Sequence, residues 1–313
     1  MPIYDQSYKS YSGLRKRSRL WFVISKQVAS RATKGCLPWV TLSGQGIFVL
    51  VMSVLMFVAH KASDLAGENA AEVGRAARGG GFVWMNGDQS LATILYMILQ
   101  FSTIPAFLLT MVTGGGSFSS DLRYNALPLY FSRPLHQREY IFGKLAGVAL
   151  IPFLALAATV LLISLQYMAY FSDLNGFIRE IPTIILALIY ALGYSLFLAL
   201  LIGGFSALCK SARNASGLFI GFFLVFSAMV TVLDDSPDTK PYTALSPIQA
   251  MQVFSIKLFN PDLQSLGIRP SGGNTLSQLS QGSFQLAIVV LVATAAVFLL
   301  LIIRNVRSVE VVK

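Results

Sequence analysis

Charge is scarce in this chain: 12% of its 313 residues are Asp, Glu, Lys or Arg, against 55% hydrophobic residues, a balance far outside that of ordinary soluble domains. Inside its six longest apolar runs there is no Asp, Glu, Lys, Arg or His at all. That leaves nothing from which to build an intramembrane proton or sodium relay, and no dyad or metal site for hydrolysis within a membrane. Cysteine is nearly absent too. Cys36 and Cys209 sit at the ends of apolar runs without metal-type spacing, so neither a disulfide nor a zinc site is indicated. The two histidines, His60 and His136, have no Cys or His neighbour and read as interfacial residues. No GxxxxGK[ST] occurs. Gly143-Lys144 lacks the upstream glycine and is followed by Leu145, so the chain does not bind nucleotide through a P-loop of its own, and no cofactor, metal or catalytic residue is expected in it.

The apolar runs themselves are each close to the roughly 20 residues that cross a hydrocarbon core. They extend over Leu37–Ala59, Leu91–Val112, Leu145–Met168, Ile181–Leu208, Leu218–Leu233 and Phe284–Ile303. The expected fold class is therefore an all-α polytopic membrane protein with six transmembrane helices, divided into a basic arm over 1–35 and a transmembrane domain over 36–313. The formal charge of +10 is not a nucleic-acid signature, because the basic residues lie between apolar runs. Of the 24 Lys and Arg, 17 fall in segments 1–36, 113–144, 209–217 and 304–313. That bias places both termini in the cytosol.

Within the arm, Leu20, Trp21, Phe22, Ile24 and Val28 alternate at helical spacing with Arg19, Lys26, Gln27 and Arg31, which predicts an amphipathic helix lying in the membrane interface. Residues 60–90 combine acids and bases with Gly79-Gly80-Gly81, predicting a surface helix and a return. Residues 234–283 open on Asp234-Asp235-Ser236-Pro237-Asp238, a solvated turn rather than a calcium loop, since its glycine and terminal glutamate are missing. Pro247 then stands where a helix would begin, with Ile248, Met251, Val253, Phe254, Ile256, Leu258 and Phe259 behind it. Gln100, Ser102, Thr103, Ser227 and Thr231 are polar residues within the spans. They are candidates for lining a translocation path, although small hydroxyls also bond to helix backbones. Gly193, Gly203, Gly204, Gly217 and Gly221 offer close helix approach.

The most patterned segment is Ser117–Lys144, SFSSDLRYNALPLYFSRPLHQREYIFGK. Ser119, Ser120 and Asp121 are helix N-cap candidates, and Leu122, Leu127, Leu129 and Tyr130 supply an apolar side. Pro128 and Pro134 predict an interruption and a bend before a new helix. The run Asp121-Leu122-Arg123, then Leu129-Tyr130-Phe131-Ser132-Arg133-Pro134-Leu135, then Tyr140 and Gly143-Lys144, resembles the cytosolic connection between the second and third spans of ABC-transporter permeases of the type-2 exporter class. The resemblance implies an elbow helix at the N-terminus and a coupling helix here, seated in a cleft of a separate ABC ATPase. It implies contact with that subunit through Asp121, Arg123, Leu127, Tyr130, Phe131, Arg133 and Pro134. It further implies two ATPase copies carrying ATP and Mg, a second identical or related permease subunit, and a place in the bacterial inner membrane. Other readings stay open at this point: a basic loop that meets lipid headgroups, a channel or secondary carrier, or a scaffold in a mechanically acting ABC complex of envelope assembly.

Overall fold

A computed structural model describes residues 20–66, 90–127, 136–171, 174–234, 245–261 and 283–306, and these form helices and turns with no strand among them. In chain order the helices are α1 (Leu20–Ala32), α2 (Cys36–Ala66), α3 (Leu91–Gly114), α4 (Ser119–Arg123), α5 (Gln137–Phe171), α6 (Leu174–Leu208), α7 (Ala212–Asp234), α8 (Pro247–Phe259) and α9 (Phe284–Asn305). Six of them, α2, α3, α5, α6, α7 and α9, are long and apolar enough to cross a membrane. Each coincides with one of the expected spans. α7 starts at Ala212 rather than Leu218, because Asn214, Ser216 and Gly217 are tolerated in a helix whose packing face is apolar.

Length sets the roles of these spans. α5 and α6 have 35 residues each, which at 1.5 Å per residue is about 52 Å, well beyond the roughly 30 Å of hydrocarbon. They pack along each other and both contact α3, forming the interior. Val148, Leu156, Val160, Ala191, Leu198 and Ile202 are buried there. α2, α7 and α9 leave large apolar side chains exposed, among them Leu50, Val225 and Leu300. Apolar exposure on that scale suits lipid or another membrane subunit. Aromatic rings attach these outer helices: Phe107 of α3 stacks on Phe219 of α7 at 4.6 Å, and Phe205 of α6 meets Phe298 of α9 edge-on at 4.9 Å. At that crossing a Cβ on Gly204 would lie 2.3 Å from the Phe298 ring, so only glycine fits. Gly217 and Gly221, by contrast, have nothing within 4 Å of a Cβ, and the close packing expected of them does not occur among the described residues.

α8 is the helix foreshadowed by Pro247. That proline stands in its first turn, and Asn260 closes it at φ 42° in the left-handed region. It packs mainly along α9, and Phe259 reaches the rings of Tyr190 (5.7 Å) and Tyr96 (6.5 Å) in the interior. A buried hydrogen bond of 2.9 Å joins Gln45 Nε2 of α2 to Thr159 Oγ1 of α5, both inside the apolar spans. The expected surface helix and glycines of 67–89, the arm before residue 20 and most of the DDSPD turn lie outside the described residues.

α1 does more than lie on a surface. It packs along α5 with Ile24 and Ser25 buried, Phe22, Val23, Lys26, Gln27 and Arg31 exposed, and the Trp21 ring edge-on to Phe142 at 5.7 Å. Two glycines allow that seat: a Cβ at Gly143 would lie 2.8 Å from the Trp21 carbonyl oxygen, and one at Gly147 would lie 2.8 Å from that of Ser25. This is a small-xxx-small contact between backbones. The turn after α1 is tied to α2 by Trp39, whose indole N–H donates to the Thr33 carbonyl at 2.8 Å.

Candidate functional site

The second span ends in a crowded place. A Cβ on Gly114 would sit 2.4 Å from Ile202 of α6 and 2.9 Å from Val148 of α5, and one on Gly115 would sit 2.3 Å from Ser216 Oγ of α7. Glycine therefore lets the end of α3 wedge between three other helices. Beyond it the chain turns into α4, and the turn is held by one side chain from α6. Ser206 Oγ accepts the N–H groups of Phe118 (3.0 Å) and Ser119 (2.9 Å) and donates to the Gly115 carbonyl (2.9 Å). A hydroxyl has one donor and two acceptor positions, and all three are used.

This arrangement corrects the expected N-cap. The residue before α4 is Phe118, without a side-chain cap of its own. The hydroxyls of Ser119 and Ser120 point backwards, donating to the carbonyls of Gly115 (3.0 Å) and Gly116 (2.6 Å). The reason is that helical backbone runs through Phe118 (φ −104°, ψ −35°) into α4, so the amides of Ser120, Leu122 and Tyr124 already donate to the carbonyls of Gly116, Phe118 and Ser120, Ser206 takes those of Phe118 and Ser119, and the serines are left in the i−4 back-bonding geometry.

Asp121 faces inward as well. It is 6% exposed, and its Oδ2 accepts from the Tyr140 hydroxyl at 2.7 Å and from Lys144 Nζ at 2.5 Å. Lys144, 5% exposed, also donates to the Ser117 carbonyl. Its ammonium lies 5.3 Å from the Phe118 ring centre and 5.1 Å from that of Tyr140. Tyr140 and Lys144 are four residues apart on α5 and so share a face. Burying two charges costs several kcal/mol each unless further bonds satisfy them, and here a carbonyl, a phenol and two ring faces do so.

After Asp121 the chain emerges. Arg123, Tyr124 and Asn125 are exposed, Tyr124 at 74%, with the Arg123 guanidinium 5.7 Å from its ring centre. Asn125 makes the turn at φ 49°, a conformation asparagine tolerates better than most residues. The chain then folds back, with the Ala126 N–H donating to the Asp121 carbonyl at 2.9 Å. Leu127 is buried in a cluster with Ile24, Phe118, Tyr140, Ile141, Ala207 and Ile302. Where α5 begins, Gln137 Nε2 donates to the carbonyls of Ile303 (3.1 Å) and Val306 (2.6 Å), closing the end of α9.

Of the expected partner contacts, Arg123 is thus on the surface, Asp121 and Leu127 are turned into the chain, and Tyr130, Phe131, Arg133 and Pro134 lie outside the described residues. The candidate path residues differ in burial. Ser102 is fully buried with no partner for its hydroxyl, and Gln100 and Thr103 are half-buried, Thr103 donating to the Gln100 carbonyl at 2.6 Å. Ser227 is exposed on α7, and Thr231 follows on the same helix. Sequence reasoning missed Lys144, Tyr140, Ser206 and Tyr124 as members of the site. The available signal was the Tyr140/Lys144 spacing at the entrance of a span. Among the described residues no group of His, Cys, Asp or Glu could hold a metal ion.

Six helices long and apolar enough to cross a membrane, with the end of α3 tied to α5 and α6 through a braced, charged turn, fit a multi-pass membrane protein. Residues 39–305 match the family model described as ABC-2 family transporter protein, and the chain belongs to that family. Membership makes it a membrane-spanning subunit of an ABC transporter rather than an ATP-binding domain, and implies a separate ATP-binding partner. No match is found among curated proteins.

Proposed function

We propose that the chain is the membrane subunit of an ATP-driven exporter, working as a dimer with two ATPase subunits, with the basic end of its helices and both termini in the cytosol of a bacterial inner membrane. The observation that carries this reading is the turn after the second span. A tyrosine 74% exposed and an exposed arginine stand at the tip of a segment whose neighbouring residues are fixed inside the chain. A rigidly presented aromatic is the kind of residue that dominates protein interfaces. In this reading Arg123 and Tyr124 enter the ATPase cleft together with Tyr130, Phe131, Arg133 and Pro134, while buried Leu127 holds the tip in place by packing and Asp121 ties it to α5. α1 is the elbow helix, seated on α5 by one side and meeting lipid headgroups with Lys26 and Arg31. Among the polar span residues, exposed Ser227 on α7 suits a route between two copies, whereas Ser102 is packed within one.

The test is copurification. Tyr124→Ala, Tyr130→Ala, Phe131→Ala and Arg138→Ala are purified in detergent, checked for folding, and compared for bound ATPase and its turnover. Loss of an aromatic hot spot costs about 2 kcal/mol or more, a fall of more than tenfold in affinity. Arg138 is exposed, and a solvated ion pair is worth at most about 1 kcal/mol. Loss of ATPase in the aromatic variants with retention in Arg138→Ala is expected. Full retention in all four refutes docking through this turn.

A further inference from the structure

Among the described residues, Asp121 and Lys144 are the charged side chains buried in the chain. A buried ion pair is a poor way to gain stability, since apolar residues of the same volume often do as well or better. What it provides is direction. Charge-assisted bonds fix distance and angle, whereas apolar contacts permit sliding. The pair joins three parts: α5, through Lys144 and Tyr140; the turn, through the Ser117 carbonyl; and α4, through Asp121. Ser206 adds a fourth part, α6, with its three bonds to the same turn. The exposed tip at Arg123–Asn125 is thereby tied by polar bonds to the two longest helices of the chain. α1 is seated on the same stretch of α5, backbone against Gly143 and Gly147 on either side of Lys144.

We propose that Lys144 and Ser206 are positioning residues that convert displacement of the docked tip into movement of α5 and α6. The proposal rests on the docking reading above and goes beyond it in naming the joint. A rotation of the tip pulls on Asp121 and the Ser117–Ser119 backbone. Lys144 passes it to α5 and Ser206 to α6, and each helix, continuous over 35 residues with one internal proline, Pro152 in α5 and Pro182 in α6, delivers it to the far end of the membrane domain. The packing around α4 then holds the tip in place but does not steer it.

The experiment follows the far end of the bundle in the purified complex with its ATPase. Spin labels are placed at Leu165→Cys near the end of α5 and Val289→Cys near the start of α9, both exposed, with Cys36 and Cys209 replaced by serine. The interlabel distance is measured without nucleotide and with ATP trapped by vanadate. The parent is expected to show an ATP-dependent shift. Lys144→Met and Ser206→Ala are expected to retain ATPase through the unaltered tip yet lose the shift, and Lys144→Arg, which keeps a buried cation, to restore it. Should Lys144→Met fail to fold, the double variant Asp121→Asn/Lys144→Met, which leaves no unpaired charge, gives the decision. A folded double variant with bound ATPase and the parent's full shift overturns the joint and leaves docking intact. So does failure of Lys144→Arg to restore the shift, which reduces the pair to packing. A parent that binds no ATPase overturns the docking reading, and the joint with it.

Discussion

Replacing Gly147 by alanine should destabilise the protein, although the same change in an exposed helix gains about 1 kcal/mol from helix propensity. The new Cβ would lie 2.8 Å from the Ser25 carbonyl oxygen, 2.8 Å from Val28 Cβ and 3.1 Å from Ser25 Cα. Carbon atoms prefer roughly 3.5–4.0 Å, so α1 has to retreat by about 1 Å. Two of the three obstructing atoms are backbone, which no rotamer change can move. Overpacking of this kind costs about 1–3 kcal/mol. Gly143→Ala meets the Trp21 carbonyl oxygen at 2.8 Å and should behave alike. One retreat of α1 relieves both clashes, so the double variant should cost less than the sum of the two. Gly217→Ala and Gly221→Ala are the controls. Nothing lies within 4 Å of either Cβ, and the isolated subunit should keep or slightly raise its melting midpoint. The assay is thermal unfolding in detergent, paired with maleimide labelling of Ser25→Cys in a chain lacking Cys36 and Cys209. Ser25 of α1 is buried against α5 and should react slowly in the parent and faster once Gly147 is alanine. An unchanged midpoint with Ser25→Cys still protected would show that α1 does not depend on close backbone approach.

Orientation is checked with impermeant thiol reagents in intact cells, where cysteines at Ser283 and Lys61 should label and one at Lys210 should not; all three residues are exposed. Phe259→Ala should free α8 from the Tyr96 and Tyr190 rings at about 3 kcal/mol, as for other large buried aromatics, seen as earlier melting and faster proteolysis after α7. The Gln45–Thr159 bond should respond asymmetrically. Thr159→Val strands the Gln45 amide N–H, whereas Gln45→Leu also removes an oxygen that has no partner and leaves Thr159 bonded to the Ala155 carbonyl. Thr159→Val should therefore melt lower, the difference being about 1 kcal/mol.

The six spans were legible because an uncharged run near 20 residues has few alternatives to crossing a membrane, and α8 because Pro247 marks a first turn. What stayed hidden depends on neighbours distant in sequence. Lys144 stands one residue before an apolar run and reads as a solvated end. Only the fold brings Asp121, the Ser117 carbonyl and two rings around it. The N-cap expected at Ser119, Ser120 or Asp121 failed because the helix starts earlier, with the Phe118 and Ser119 amides held by Ser206, 87 residues away from Ser119, and those of Leu122 and Tyr124 bonded to the carbonyls of Phe118 and Ser120. Gly143 and Gly147 were passed over for the opposite reason. The spacing was visible, but the partner is α1, which its composition assigns to a lipid surface. Gly217 and Gly221 had the same spacing and face open space, so the motif marks an opportunity for contact without supplying the partner.

Docking of the turn is tested most directly by a photoreactive amino acid placed at Tyr124, whose side chain points away from the chain. Irradiation of intact cells should yield one major adduct between this subunit and an ATP-binding protein, lost when the probe is moved to buried Leu127. Adducts with lipid alone from position 124 would contradict the assignment of this turn as the seat of the ATPase.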